Sequence, residues 1–171
     1  MIRTVIIDNS EDLQIGDLVK CINGNLEKVT AGDRIFGVVI DIVDKNGASI
    51  WGSTAITGSA TITNADNPKS SVVTVASDNE TVDLIAAKVD VSPFTIYTAD
   101  ITGTMDTTNS SSKPGALVDA TDENDVDETT ATRTYTDGGQ LYCWGVDPDD
   151  STRMLVNINE SEVFSTKVTS T

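Results

Sequence analysis

Carboxylates are the groups with which this 171-residue chain could do chemistry: 27 Asp and Glu stand against 11 Lys and Arg, and histidine is absent. The densest run, Asp119 to Glu128, holds six acids and no base. Hard oxygen ligands of this kind are what Ca²⁺ takes. The spacing fails the EF-hand pattern, however, because no Gly stands at the sharp turn and Val126 falls where a ligand belongs. Asp147, Asp149 and Asp150 form too short a cluster alone, so the first stretch reads as a solvated loop, the second as a turn, and no metal is expected. Paired carboxylates can also hydrolyse glycosidic bonds. With this many acids, close pairs arise by chance, and the aromatic residues that grip sugars are scarce. A serine nucleophile needs an activating base. Without histidine that base would be lysine, and no Ser-x-x-Lys motif accompanies a plausible cleft. No glycine-rich phosphate cradle appears. The residues therefore point away from an enzyme, and no cofactor is expected. Cys21 and Cys143 are expected as reduced thiols.

The elements that would carry these residues read as β-structure. Val, Ile and Thr dominate the apolar stretches. Leu18 to Ile22 and Leu26 to Val29 flank Asn23-Gly24, a strong hairpin signal. Arg34 to Val43 is the longest strand candidate, apolar on both faces. From Ser53 to Ser112 the chain is rich in Thr and Ser, with short β-like pieces; Thr81 to Val89 leaves helix and strand both open. Leu141 to Val146 and Met154 to Ile158 read as strands around a turn at Asp147 to Asp150.

Two stretches share a pattern. Ile15-Gly16-Asp17-Leu18-Val19 precedes Ala31-Gly32-Asp33-Arg34-Ile35-Phe36-Gly37-Val38-Val39. Pro114-Gly115-Ala116-Leu117-Val118 precedes Gly138-Gly139-Gln140-Leu141-Tyr142-Cys143-Trp144-Gly145-Val146. Each is a Gly turn, a short apolar strand, a polar connection and an aromatic-Gly-Val strand, with Phe36-Gly37-Val38 set against Trp144-Gly145-Val146. The expected fold is all-β: a sandwich or barrel-like core of two related β-units, residues 1–52 plus 113–171, with a β-rich insertion at 53–112.

The first copy resembles the opening of the small capsid cement, or decoration, proteins of tailed bacteriophages, in which G-D-x-V…A-G-D…G-V is common. The resemblance covers about the first forty residues and, more loosely, the last sixty. It implies a non-enzymatic virion protein on the outer capsid surface that bridges capsomers and stabilises the head. The implied partners are the major capsid protein and copies of itself, often as a homotrimer. Another phage or surface module (tail, fibre or adhesin-like) is the alternative, and a carboxylate-based hydrolase a further one.

The formal net charge of −16 repels phosphate backbones and anionic lipid, so no nucleic acid and no membrane is expected as partner. The start, Met1 to Asp8, is too short an apolar run for a signal peptide, and synthesis in a host cytoplasm is expected. An extended N-terminal segment can add to a neighbour's sheet. Ile2, Val5, Ile6 and Ile7 are therefore the expected partner-binding residues, with Trp51 as an interface anchor.

Overall fold

The computed structural model describes residues 1–51, 58–63, 71–102, 115–132 and 139–159, with side chains to 127 in the fourth stretch. Every regular element among the described residues is a strand. The all-β expectation holds, and Thr81 to Val89, left open above, ends in a strand. The chain forms two compact units: Met1–Val29 with Phe36–Val91, and Thr30–Ile35 with Ser92–Thr171.

The first unit holds β1 (Ile2–Ile6), β2 (Asp12–Leu13), β3 (Leu18–Ile22), β4 (Asn25–Lys28), β5 (Gly37–Val43), β6 (Ala60–Ile62), β7 (Val73–Val75) and β8 (Ala86–Asp90). Five of these form one sheet in the order β1-β8-β5-β3-β4. A parallel bridge from Ile7 to Leu26 links its first and last strands. β2, β7 and β6 form a second, small sheet. Asn23 and Gly24 both take positive φ, 52° and 95°, as the tight β3–β4 turn requires. Alternation of β-branched residues sends Ile7, Val19, Leu26, Val39, Ile42, Ala87 and Val89 into one core, all of them buried.

The second unit holds β9 (Tyr97–Ile101), β10 (Leu117–Ala120), β11 (Asp125–Thr132), β12 (Leu141–Val146) and β13 (Arg153–Ile158), closed into a barrel. Its order, β9-β13-β12-β10-β11, reproduces β1-β8-β5-β3-β4 strand for strand. The agreement extends to register. Gly16 N–H donates to Val39 O at 2.8 Å and Val39 N–H to Asp17 O at 2.9 Å; Gly115 N–H donates to Cys143 O at 2.9 Å and Cys143 N–H to Ala116 O at 2.8 Å. Val39 pairs with Val89 and Cys143 with Val156, and a β-bulge follows immediately in each case. Cys21 opposite Leu26 matches Ala120 opposite Val126. The Ile7–Leu26 bridge matches the parallel pair Ile101–Val126. The two units are two copies of one five-stranded fold.

This register corrects the sequence alignment at one end. Gly16, Leu18 and Val19 match Gly115, Leu117 and Val118 as expected. Trp144, however, is the bulge residue, and its counterpart is Ile40, not Phe36. The chain also divides elsewhere than at 52 and 112. β8 and β9, inside the expected insertion, are strands of the repeated five-stranded fold, one for each copy. The extra material is the β5–β8 connection, 44–85, which carries β6 and β7 where the second copy has only the Asp147–Thr152 turn. The acidic stretch Asp119 to Glu128 is likewise a hairpin of β10 and β11 rather than a free loop. Asp122 Oδ1 accepts from the N–H groups of Asn124 and Asp125, each at 2.9 Å, to close its turn.

Candidate functional site

The acids do not assemble into a metal-holding cluster among the described residues. No group of three or more Cys, Asp and Glu is placed to hold a metal there. The closest approach to acid–base chemistry is Asp8 with Glu80. Their carboxyls share a hydrogen bond, which holds Asp8 below the usual carboxylate range and pushes Glu80 above it. Both are half-buried at the surface, where water still reaches and screens them. A cavity of about 270 Å³ is lined by Ser59, Ala60, Thr61, Thr74, Val75 and Ala76, with no ionisable side chain. Cys21 and Cys143 are free thiols, exposed and buried respectively, and burial raises the pKa of each.

The expected docking segment is a strand of the first unit. β1 pairs antiparallel with β8 from Ile2 opposite Asp90 to Ile6 opposite Ala86. The N-terminal ammonium reaches Asp90 Oδ1 at 3.2 Å. Ile7 is fully buried, and its N–H donates to Ile85 O at 3.1 Å. Burial therefore withdraws Ile7 from any outside partner, and the segment pairs within its own unit's sheet rather than standing free for a neighbour's. Val5 packs partly against the same core, and Ile6 is half-buried on the outer face. Ile2 remains 60% exposed. Trp51 also packs against the first unit's core, and its indole Nε1 is buried without an acceptor among the described residues.

The surface that sequence reasoning missed lies on the outer face of the second unit. Inside the barrel, Cys143, Met154 and Val156 fill the core. Outside, strand alternation with the buried Cys143 turns Trp144, at the bulge, to solvent, 48% exposed. Its ring lies 5.5 Å from that of Tyr142, tilted by 57°. Its Nε1–H donates to Asn157 Oδ1 at 2.8 Å. Asn157 in turn donates through Nδ2 to Pro93 O, which fixes the turn bearing Phe94, 79% exposed, and Ile96, 51% exposed. Asn157 thus joins Trp144 and the Phe94 turn into one apolar row.

The first unit shows the same row in aliphatic form. Ile2 stands opposite Asp90, and Ile40 occupies the bulge, 37% exposed. The strand register makes Ile2 the counterpart of Ile96, Asp90 of Asn157 and Ile40 of Trp144. The signal was legible: Ile2-x-Thr4-x-x-Ile7 recurs as Ile96-x-Thr98-x-x-Ile101. It lies outside the Gly-turn pattern and so was passed over. No protein-family model, curated protein or solved structure matches the chain.

Proposed function

We propose that this chain is a structural virion protein that binds the outer surface of a phage capsid, bridges capsomers and stabilises the head, acting as a homotrimer. The observation that carries the reading is the duplicated five-stranded fold with an exposed apolar residue at the same two outer positions in each copy. A shell presents one protein surface many times over. Two related faces on one chain suit attachment to such a repeating partner, and multiple attachments raise the net hold without any single strong contact. Binding to the assembled head and not to the dissociated one stabilises it by mass action. The acidic exterior keeps the free protein soluble.

The test uses empty heads assembled from the major capsid protein of the phage to which this reading assigns the chain. The full-length protein is expected to sediment with them and to raise their rupture temperature. Heads that neither retain the protein nor gain heat resistance would leave the tail, fibre or adhesin-like alternative in its place.

A further inference from the structure

We propose that the outer row of the second unit, Trp144 with Phe94 and Ile96, is the docking surface, and that its occupant is a basic-rimmed apolar depression on the capsid's outer face. The inference rests on the capsid reading above and adds which residues dock and against what chemistry. Trp144 contributes nothing to the barrel's interior, which Cys143 and Met154 already fill. Its indole N–H is satisfied by Asn157, so the ring can be covered by a partner without stranding a buried donor. The same bond and the Asn157–Pro93 bond hold the row in place before any partner arrives. A pre-set aromatic side chain loses little freedom on binding, which is why Trp and Tyr dominate interface hot spots.

Charge selects the partner. Among the described residues of the second unit, the cations are Arg34 and Arg153. Arg153 is held by Asp100 at 2.7 Å and lies 3.8 Å from Asp150. Asp147 and Asp149 belong to the same turn, at the end of the strand that carries Trp144. A second copy seated on this row would bring two acidic rims together. A basic rim would be drawn in and oriented.

The experiment measures binding of the full-length protein to the empty heads described above at low and moderate NaCl. Trp144→Ala and Phe94→Ser are each compared with wild type, and Val82→Ser, at an exposed apolar residue of the first unit, serves as the control. Trp144→Ala and Phe94→Ser are expected to weaken binding about thirtyfold or more, the size of a hot-spot truncation. Val82→Ser is expected to bind as wild type, and wild-type binding to weaken as salt rises. Phe94 is the more exposed side chain, so Phe94→Ser reads the surface even if Trp144→Ala lowers the melting temperature. Wild-type binding with both row variants unaffected would overturn the inference and leave the capsid reading standing. Binding that is insensitive to salt would overturn the basic rim. Row variants that change the oligomeric mass but not head binding would make the row a self-interface. Wild-type protein that never binds heads would remove the capsid reading and this inference together.

Discussion

At Gly37 the β-ladder comes so close that no side chain fits. A Cβ there would stand 2.6 Å from the carbonyl oxygen of Asp90, a backbone atom that cannot step aside. Gly139 is as crowded, with Leu117 Cβ at 2.5 Å and Leu117 C at 2.9 Å. Gly37→Ala and Gly139→Ala are therefore each expected to destabilise by roughly 2–4 kcal/mol, read from urea unfolding. Glu11 makes the converse case. Burial pushes its carboxyl above the ordinary 4.5, even though it accepts a hydrogen bond from Lys28 N–H at 3.2 Å. The folded state thus holds this proton more tightly than the unfolded chain, and stability falls as pH rises from about 4.5 through the raised value. Glu11→Gln keeps an acceptor for Lys28 and removes the charge. Melting temperatures of the two proteins should converge below that window and separate at neutral pH, with the variant higher. A variant that melts lower at neutral pH would show that the Glu11 charge is stabilising.

β1 is where element and function were hardest to separate in sequence. An apolar strand written at a chain end reads equally as a dock for another protein or as a member of its own sheet. Long-range partners decide, and these lie eighty or more residues away in β8. Asn79 shows how firmly the choice is made: its buried amide donates to Ile7 O at 2.7 Å and Ile85 O at 2.9 Å and accepts from Ile85 N–H at 2.9 Å. Deletion of residues 1–7 is therefore expected to unfold the first unit, seen as lost strand signal in circular dichroism and rapid proteolysis. A truncated protein with wild-type melting behaviour would show that the segment is dispensable to its sheet and free to dock elsewhere. The elements built on local signals were legible: the Asn23-Gly24 hairpin, the strands at Leu18, Leu141 and Met154, and the Gly16 and Gly115 turns. The boundary of the insertion was not, because β8 and β9 are short, Ala- and Thr-containing strands whose membership depends on pairing rather than composition. By residue type alone Trp144 reads as a core or interface residue. The alternation Leu141-Tyr142-Cys143 sets it on the outer face, opposite in sense to the buried Cys143.

The whole molecule is dominated by its charge of −16, and that charge gives each proposed behaviour a different response to salt. Within one chain the carboxylates repel, so screening relieves the folded state and the melting temperature should rise as NaCl is raised from about 0.01 to 0.15 M, across which the Debye length falls from about 30 to 8 Å. Self-association concentrates the same sign of charge further. The homotrimer should therefore strengthen with salt, and light scattering should show a mass approaching three times the 18.1 kDa chain at moderate NaCl and less at low NaCl. Docking on a basic-rimmed partner runs the other way and weakens as the attraction is screened. Measured together, melting and trimer mass rise while head binding falls. A scattering mass that stays at one chain from low to moderate salt, at micromolar protein with heads absent, would remove the trimer in solution and leave assembly to the capsid surface alone. A trimer that dissociates as salt rises would instead place attractive ion pairs at its interface, drawn from the few cations the chain has to spend against its acids.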